Sequence, residues 1–357
     1  MINVTKPFLP PLEEYQTYLQ RIWDNNWLTN NGPMVQELEL KLKKYLGVKH
    51  LIYVNNGTIA LQIAIKAIAV QGEIITTPFS YVATTNSILW EGCIPVFADI
   101  KKEDYNIDPE KIEALVTDKT VAILATHVYG NPCDVEAIKK IARQHKLSVI
   151  YDGAHAFGAT YKSKSVLSYG DISTCSFHAT KLFHTIEGGA IITNDDSLAE
   201  KMSLYRQFGH IGDTHLSIGI NGKSSEFHAA MGLCLLPRMQ EFIDDRKQLA
   251  AMYDRELADL TIEKPIGMPG TDYNYSYYPI VFEDEATMQK VKDGLQQKGI
   301  TTRRYFYPSL NNLPQYTGEP CPVSEDISVK VLALPFYFQM DPKDATKICN
   351  EIKNILG

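Results

Sequence analysis

The sequence predicts an α/β protein, with a large domain built on a mainly parallel sheet and a smaller α+β domain after it. Three observations support this prediction. Short apolar runs alternate with amphipathic segments through the first two thirds of the chain, as strands and covering helices do. Near Glu226 this alternation gives way to one long helical stretch. Shorter strand-like and helix-like segments complete the chain, which is typical of a small α+β unit.

The strand-like runs of the first part are short and rich in Ile, Val and Tyr. In order they are HLIYV (50–54), EIITT (73–77), IPVFAD (94–99), VAILATHV (121–128) and LSVIYD (147–152). The segments that follow the first four have helical patterns: TIALQIAIKAI, YVATTNSILWEG, PEKIEALV and DVEAIKKIARQHK. Because parallel strands need a crossover connection, this alternation favours a parallel sheet with helices on both faces.

The long helix that begins at Glu226 leads into the second part of the chain. We expect it to kink at Pro237, because proline cannot donate a hydrogen bond in a helix interior. The run YNYSYYPIVF (273–282), a helix over 285–298 and a final helix from Pro342 indicate the small domain. We therefore place the large domain, with an N-terminal arm, at residues 1–240 and the small domain at 241–357.

Composition narrows the class of protein. The 357 residues are 45% hydrophobic and 22% charged, which is ordinary for a globular protein. A net charge of -7 argues against nucleic acid as a partner. No apolar run approaches the roughly 18 residues of a membrane helix, and the N-terminus does not resemble a signal peptide. The six cysteines are scattered without metal-ligand spacing, so we expect reduced thiols, no metal site and a cytoplasmic location.

Polar side chains follow several predicted strands, at the sheet edge where open α/β proteins bind ligands. Asp152 ends LSVIYD, and Ser176 ends the apolar stretch DISTCSF. Gly57 and Thr58 follow HLIYV and begin a helix, whose free backbone N–H groups can hold an anion. Tyr81 lies at a loop-to-helix junction. These residues predict a site for a ligand with an anionic group and a flat ring.

Lys181 lies in the polar loop of SFHATKLFHTIEGGAIIT (176–193). A single lysine is usually a solvated surface residue. Together with the strand-end acid, the helix start and the aromatic ring, however, it matches pyridoxal 5'-phosphate. The lysine amine can bond covalently to the cofactor aldehyde, and Asp152 can keep the ring nitrogen protonated. The helix start would hold the phosphate, and Tyr81 would stack on the ring.

Four motifs resemble those of the DegT/StrS nucleotide-sugar aminotransferase family, in the family's order. They are GTIAL, DGAHAFGA, SFHATK with the later EGGA, and GINGKSSEFHAAMGL. The resemblance extends from WLTNNGP (27–33) to RYFYPSL (304–310). It implies the aspartate-aminotransferase type I fold of pyridoxal-phosphate-dependent transferases. It also implies amino transfer from L-glutamate to a nucleotide-linked keto-sugar.

The resemblance assigns roles to individual residues. Lys181 would be the catalytic residue that carries the cofactor and transfers the proton, Asp152 the partner of the ring nitrogen, and Tyr81 the stacking ring. The implied phosphate contacts are Gly57, Thr58 and Ser176.

Two further cofactor-binding residues follow from the same resemblance. His155 stands where many family members carry a glutamine near the phenolic oxygen of the cofactor. Asn221 resembles the asparagine that reaches the phosphate bound to the neighbouring subunit, which implies a homodimer with active sites shared across a two-fold interface.

The substrate side is predicted from the loops RYFYPSL and KLFHTIEGG. The candidates for binding the diphosphate are Arg303, Arg304 and Lys223, and those for facing the sugar are Tyr305, Tyr307 and His184. FLPPLEEY, WLTNNGP and SFHATK are similar to members that convert dTDP-4-keto-6-deoxyglucose to dTDP-4-amino-4,6-dideoxyglucose. Amination at C3 of a dTDP-3-keto-6-deoxyhexose stays open, because one fold can hold a sugar ring in alternative poses.

Alternatives remain for several residues and for the protein. Asp152 is also a possible helix cap, Tyr81 a core residue, His155 a structural histidine, Ser176 a strand-end hydroxyl and Asn221 a turn residue. The run YNYSYY suits core or sugar-facing packing. A family dehydratase is disfavoured because Lys181 is present where such enzymes carry histidine. A non-catalytic regulator that keeps the fold stays open, whereas GINGKSS lacks the first glycine of a P-loop.

Overall fold

The computed structural model describes residues 1–68, 71–316 and 318–357. Within these ranges the α-helices are α1 (Leu12–Asn25), α2 (Pro33–Leu46), α3 (Gly57–Ile68), α4 (Val82–Trp90), α5 (Pro109–Ala114), α6 (Val135–His145), α7 (Asp196–Arg206), α8 (Glu226–Leu235), α9 (Met239–Glu256), α10 (Glu285–Gln297), α11 (Pro322–Lys330) and α12 (Pro342–Leu356). The strands are β1 (His50–Val54), β2 (Glu73–Thr76), β3 (Ile94–Phe97), β4 (Thr120–Thr126), β5 (Ser148–Asp152), β6 (Thr160–Tyr161), β7 (Lys164–Ser165), β8 (Ile172–Ser176), β9 (Gly189–Thr193), β10 (His210–Ile211), β11 (Thr214–His215), β12 (Thr271–Asp272), β13 (Pro279–Val281) and β14 (Val331–Ala333).

All five predicted strands pair within one central sheet. Over the described residues this sheet has seven strands in the order β1-β9-β8-β5-β4-β2-β3. The pairs β3–β2, β2–β4, β4–β5 and β5–β8 are parallel, which confirms the mainly parallel α/β class. Strand β9 is antiparallel to both β8 and β1. The loop over 177–188 joins β8 directly to β9, so the chain reverses there instead of crossing over.

Helices cover both faces of this sheet, because its strands carry apolar side chains on each side. On one face α2 and α6 contribute Leu38 and Ile138 to a core that also contains Tyr151 of β5. On the other face α3 and α7 contribute Ile63 and Met202 to a second core. The sheet is therefore buried between two layers, and its polar strand ends are left to form a site.

The long helix predicted from Glu226 is interrupted where proline occurs. Helix α8 ends at Leu235, a 3₁₀ turn covers Leu236–Arg238, and α9 continues from Met239. Pro237 lies in that turn, as expected for a residue that cannot donate the helical hydrogen bond. The predicted kink is thus a short change of helix type.

Helix α9 contributes to two hydrophobic cores. Met239 packs in the core next to the sheet, whereas Tyr253 packs with Ile280 of β13 and Leu332 of β14. Strands β13 and β14 form an antiparallel pair that packs with α10 and α12. Ile2 also belongs to the core around Tyr253, so the N-terminal arm packs against the C-terminal part of the chain. The division at residue 240 stays a prediction.

The register of β9 aligns the strand ends that form the candidate site. Gly189 lies opposite Val54 at the end of β1 and opposite Ser176 at the end of β8. A Cβ atom at Gly189 would lie 2.6 Å from the backbone oxygen of Asn56, so only glycine lets the β1–α3 loop pass this closely over β9. The start of α3 is thereby brought to the end of β8.

Three further observations apply to the residues that the structure describes. None of their helices is both long and apolar enough to cross a membrane. They contain no group of three or more His, Cys, Asp or Glu side chains arranged to hold a metal ion. All six cysteines are buried free thiols.

Candidate active site

Lys181 occupies the loop that joins β8 to β9. The loop is closed by hydrogen bonds from Phe177 N to Gly188 O (2.8 Å) and from Thr185 N to Phe177 O (2.9 Å). The Lys181 side chain is half-buried, and its Nζ donates a 3.2 Å hydrogen bond to the hydroxyl oxygen of Tyr277. Burial lowers the pKa of Lys181, but Tyr277 and Asp152 act in the opposite direction, and the net shift is upward. The predicted lysine is therefore held inside a cleft, and the solvated alternative is excluded.

Asp152 is the last residue of β5 and is buried, with 6% of its surface exposed. Its Oδ2 accepts a 2.7 Å hydrogen bond from Thr84 Oγ1, and its Oδ1 accepts one of 3.0 Å from Ala154 N. Burial raises the pKa of Asp152, while these two hydrogen bonds and the charge of Lys181 lower it, and the net shift is upward. The neighbours of Asp152 thus offset only part of the cost of burying its negative charge. A cation bound next to the carboxylate would offset more of that cost.

Gly57 and Ser176 approach each other closely at the start of α3. A Cβ atom at Gly57 would lie 2.9 Å from the Cβ of Ser176. Thr58 is exposed on the first turn, and Asn56 Oδ1 accepts a 2.8 Å hydrogen bond from Ile59 N. The helix start, a hydroxyl and a glycine without a side chain therefore form a small cradle of the kind that binds phosphate. Ser176 also lines the cleft that contains Lys181 and His155.

The chain matches the DegT/DnrJ/EryC1/StrS aminotransferase family over residues 12–353. The protein belongs to this aminotransferase family. It is 45% identical over 364 residues to the dTDP-4-amino-4,6-dideoxy-D-glucose transaminase of Shigella dysenteriae, with 99% of each chain covered. The transaminase of the same name from Escherichia coli is 43% identical over 361 residues, covering 97% of this chain and 96% of that one. The structure of DesI in the presence of its TDP-sugar product superimposes with a TM-score of 0.94 at 32% identity, covering 99% of this chain and 92% of that chain.

Pyridoxal 5'-phosphate is the cofactor of this aminotransferase family, and the described residues fit it. Asp152 is a buried carboxylate that could face a protonated ring nitrogen, and the cradle at Gly57 has room that a side chain would fill. In addition, Nδ1 of His155 is a buried polar atom without a hydrogen-bond partner in the described structure. The fit therefore depends on the Asp152 carboxylate, the cradle at Gly57 and the His155 ring, which lie at the same edge of the sheet as Lys181.

His155 is buried in the aminotransferase cleft. Its ring stacks on Phe306, with centroids 5.5 Å apart and planes at 9°, and it meets the edge of Tyr277 at 5.0 Å. Burial, together with the charge of Lys181, lowers the pKa of His155 well below its ordinary value. The ring is therefore neutral near pH 7. Its place in the cleft agrees with the predicted location, and its contact with the cofactor stays a prediction.

Tyr81 and Asn221 are both on the surface of the single chain. Tyr81 precedes α4 and is 60% exposed, so it does not belong to the core. Asn221 is exposed, and its Oδ1 accepts a 2.8 Å hydrogen bond from Lys223 Nζ. The backbone oxygen of Asn221 accepts a 3.3 Å hydrogen bond from Asn55 Nδ2, which places this segment beside the loop that leads to the phosphate cradle. Their roles as stacking ring and inter-subunit contact stay predictions.

The two adjacent arginines of RYFYPSL have different surroundings. Arg304 donates to Glu285 Oε1 (3.0 Å) and to Val329 O (3.1 Å), and its guanidinium lies 3.3 Å from the ring centroid of Tyr307. Its Nη2 is thus engaged within the protein, and the diphosphate contact expected for Arg304 has no support here. Arg303 is exposed, and its guanidinium lies 5.6 Å from the ring of Tyr305. Arg303 therefore remains available for an anionic substrate group.

His184 and Tyr305, which were both predicted to face the sugar, also have different surroundings. His184 is buried, with Nε2 bonded to Phe8 O at 2.8 Å and Nδ1 accepting from Ile186 N at 3.3 Å. Both of its ring nitrogens are used by backbone groups, which gives no support to a sugar contact. Tyr305 is half-buried, and its ring lies 5.5 Å from that of Tyr277. Tyr305 thus borders the Lys181 cleft, as a sugar-facing residue would.

The sequence did not identify Tyr277 or Thr84. Tyr277 provides the hydrogen-bond acceptor of the catalytic lysine candidate, and Thr84 donates to the Asp152 carboxylate. Thr84 belongs to a buried hydroxyl chain, because Ser80 Oγ lies 2.8 Å from Thr84 Oγ1 and 3.0 Å from Thr126 Oγ1. The run YNYSYY marked the segment of Tyr277 only as aromatic packing, and no local pattern distinguished Thr84.

Proposed function

We propose that this aminotransferase moves an amino group from L-glutamate to dTDP-4-keto-6-deoxy-D-glucose and so forms dTDP-4-amino-4,6-dideoxy-D-glucose. The observation that carries the proposal is the convergence of Lys181, Asp152 and the Gly57–Ser176 cradle at one sheet edge. The sugar is suggested by the two transaminases of 45% and 43% identity. The TDP-sugar product present with DesI adds support for a nucleotide-linked substrate.

Pyridoxal 5'-phosphate, when bound, supplies an aldehyde that accepts an amine and a ring that takes up electrons released at a substrate carbon. In this proposal Lys181 is the point of covalent attachment. Its freed Nζ would take a proton from the carbon that bears the donor amine and deliver it again within the same half-reaction, and in the sugar half it would move a proton in the reverse direction. One amine therefore acts as base and as acid, which requires that it be held close to the reacting carbon.

Asp152 would supply the negative charge that keeps the cofactor ring nitrogen protonated. Its pKa is raised by burial, which outweighs the opposite effects of its two hydrogen bonds and of the charge of Lys181. A bound cation at this point favours the ionised carboxylate. Gly57, Thr58 and Ser176 would hold the phosphate through the hydroxyls and the free N–H groups at the start of α3. His155 would contact the ring substituents from the same cleft.

On the substrate side we propose Arg303 for the diphosphate, with Tyr305 at the sugar. Lys223 remains a second candidate for the diphosphate, since its amine lies near Asn221 and 4.4 Å from the ring of Phe208. Burial, with a contribution from Arg206, lowers the pKa of Lys223. An anionic substrate group near this amine would favour its charged form.

We further propose a cytoplasmic homodimer with shared active sites. The segment between Phe208 and Ile220 supports this, because it carries apolar side chains that are exposed in the single chain and leads directly to Asn221. Those exposed side chains are Phe208, Ile211, Leu216, Ile218 and Ile220. Exposed apolar groups concentrated in one segment are typical of an interface.

The test of the activity is incubation with L-glutamate and a small panel of nucleotide-linked keto-sugars. Product mass shows whether an amine has been transferred, and NMR shows which carbon carries it. We expect the new amine at C4 of the dTDP-sugar and no product with Lys181→Ala. An amine at C3 would support the alternative regiochemistry. Cofactor binding without amino transfer to any keto-sugar would contradict the proposal in favour of a non-catalytic regulator.

The shared site has its own test. Lys181→Ala and Asn221→Ala chains should each be impaired, and mixing them under conditions that exchange subunits should restore part of the activity. Restoration follows because one site of each mixed dimer would combine an intact Lys181 with an intact Asn221. Mixed dimers with no gain of activity would contradict the assignment of Asn221 to the neighbouring site.

A further inference from the structure

Tyr277 comes from the C-terminal part of the chain, yet it contacts the lysine of the central loop. The Tyr277 hydroxyl accepts the 3.2 Å hydrogen bond from Lys181 Nζ, and the amine also lies 5.8 Å from the centre of the same ring. Both residues line one cleft with His155, Ser176 and Ser276. The contact therefore lies inside the site proposed above.

The segment that carries Tyr277 is fixed to the loop after Asp152. Asn274 is fully buried and donates to the backbone oxygens of His155 (2.7 Å) and Phe157 (2.9 Å). Ser276 Oγ also donates to His155 O at 2.7 Å. A Cβ atom at Gly130, where φ is +91°, would lie 2.5 Å from Asn274 Oδ1, so a glycine is needed for this close approach.

A buried arginine also holds the segment that carries Tyr277. Arg246 of α9 is 6% exposed, and its Nη1 donates to the backbone oxygens of Ser276 (3.0 Å) and Tyr275 (3.4 Å). The Tyr277 ring itself packs against His155, with centroids 5.0 Å apart, and against Tyr305, with centroids 5.5 Å apart. Hydrogen bonds to both neighbouring elements and ring contacts leave the hydroxyl little freedom to move away from Lys181.

We propose that Tyr277 is a positioning residue, whose hydroxyl holds the Lys181 amine in place for proton transfer whenever that amine is not bonded to the cofactor. The inference rests on the proposed function and deepens it. A released lysine side chain has four rotatable bonds and occupies many positions unless it is held. A fixed acceptor restricts the amine to one position, and misplacement of about 1 Å costs about 100-fold in rate.

The contact also has an electrostatic effect that can be measured in the chain without cofactor. Burial lowers the pKa of Lys181, and Tyr277 is the largest of the influences that raise it. Removal of the hydroxyl should therefore move the pKa of Lys181 downward. An amine with a lower pKa becomes neutral, and hence reactive, at a lower pH. A purely structural role for Tyr277 predicts no such change.

The first experiment measures the reactivity of Lys181 in cofactor-free protein. An amine-reactive reagent is applied across a range of pH, and labelling of the Lys181 peptide is followed by mass spectrometry, with exposed Lys347 as an internal reference. We expect the labelling midpoint of Lys181 to move to lower pH in Tyr277→Phe. The matched control is Tyr278→Phe, whose hydroxyl donates to Asp254 at 2.6 Å instead. Equal midpoints in wild type and Tyr277→Phe would overturn the proposal.

The second experiment uses the holoenzyme. We expect Tyr277→Phe to lower kcat of the glutamate half-reaction by about 10- to 100-fold, with little change in KM or in cofactor affinity. The acid limb of its pH–rate profile should move to lower pH, and Tyr278→Phe should match the wild type in both respects. An unchanged kcat in Tyr277→Phe would contradict the inference. Lack of amino transfer by the wild type would instead contradict the proposed function, while the labelling experiment would still test the Tyr277–Lys181 contact.

Circular dichroism and thermal unfolding establish that the variants fold. If Tyr277→Phe fails to fold, a fluorinated tyrosine is incorporated at position 277 instead, since it keeps the ring and the hydroxyl but makes that hydroxyl a weaker hydrogen-bond acceptor. We expect the labelling midpoint of Lys181 to move, and a midpoint equal to that of the wild type would overturn the proposal.

Discussion

Thr84 Oγ1 donates a 2.7 Å hydrogen bond to Asp152 Oδ2 in the interior of the protein. The donor comes from the first turn of α4 and the acceptor from the end of β5, so the contact joins two elements that meet at the candidate site. The Thr84 hydroxyl is hydrogen-bonded to Ser80 Oγ, which is in turn hydrogen-bonded to Thr126 Oγ1. Asp152 is therefore oriented by a chain of buried hydroxyls.

Thr84→Val should weaken cofactor binding. The hydrogen bond from Thr84 lowers the pKa of Asp152, so its loss makes the ionised carboxylate less favourable. Hydrogen bonds to charged groups contribute about 1.5–3 kcal/mol, which corresponds to roughly a 10- to 100-fold loss of affinity. Fluorescence titration of pyridoxal 5'-phosphate into cofactor-free protein measures this. The control is Thr85→Val, because Thr85 is fully buried and its hydroxyl has no partner in the described structure. Equal losses in both variants would contradict the assignment.

Asp152→Asn should lower activity without lowering the stability of the cofactor-free protein at neutral pH. In the chain without cofactor the pKa of Asp152 is raised, mainly by burial, so its contribution to stability is present below its ordinary value of 3.8 and is lost as the pH rises through the raised value. An asparagine does not ionise. The cofactor-free variant should therefore unfold at neutral pH at a temperature no lower than the wild type.

Added pyridoxal 5'-phosphate should stabilise the wild type more than this variant, which still has Lys181 and the phosphate cradle, and turnover should fall by about 100-fold or more. Thermal unfolding from pH 4 to pH 8, with and without cofactor, gives both results. If the cofactor stabilised the variant as strongly as the wild type, the role of Asp152 as partner of the cofactor ring nitrogen would be contradicted.

Gly57→Ala should close the phosphate cradle. The new methyl group would lie 2.9 Å from the Cβ of Ser176, which forces the two segments apart. Overpacking of this kind costs about 1–3 kcal/mol, which corresponds to roughly 5- to 150-fold in cofactor affinity if the cost falls on the bound state. Gly267→Ala is the matched control, since a Cβ atom there has no neighbour within 4 Å. Inorganic phosphate competition against the cofactor measures the cradle directly. Unchanged competition in Gly57→Ala would argue against a phosphate at this position.

Arg303 and Arg304 should give opposite outcomes when replaced by alanine. Arg303→Ala should raise KM for the nucleotide-linked sugar, roughly tenfold for one lost charged hydrogen bond, and leave the melting temperature unchanged. Arg304→Ala should instead lower the melting temperature, because Arg304 is engaged with Glu285 and Val329. Steady-state kinetics and thermal unfolding of the pair distinguish the roles. A KM effect confined to Arg304 would reverse the assignment.

Much of the fold was predictable, because the strands and helices of a parallel α/β sheet alternate along the chain. That alternation is visible in the sequence as short apolar runs followed by amphipathic segments. Asp152 and Ser176 could be predicted as site residues for the same reason, since the carboxyl ends of parallel strands share one edge. The cradle at Gly57 was predictable from the helix start that follows HLIYV.

Other residues could not be placed from local patterns. Tyr277 reaches Lys181 through long-range contacts, among them the bonds of Asn274 to the backbone of a loop more than one hundred residues earlier. Arg303 and Arg304 are neighbours in one motif, yet successive side chains of extended chain point in opposite directions. His184 lies in a polar loop, and it is the N-terminal arm, through the Phe8 backbone, that makes it structural. Long-range packing decided each of these outcomes.

Covalent attachment of the cofactor to Lys181 can be measured by borohydride reduction of the purified holoenzyme, followed by peptide mapping. Reduction fixes a covalently attached cofactor in place, and we expect the added mass on the peptide that contains Lys181, at its side-chain nitrogen. The same treatment of Lys181→Ala should add no mass at this peptide. A cofactor fixed to another lysine, or no cofactor fixed at all in fully loaded wild-type protein, would contradict Lys181 as the residue that carries the cofactor.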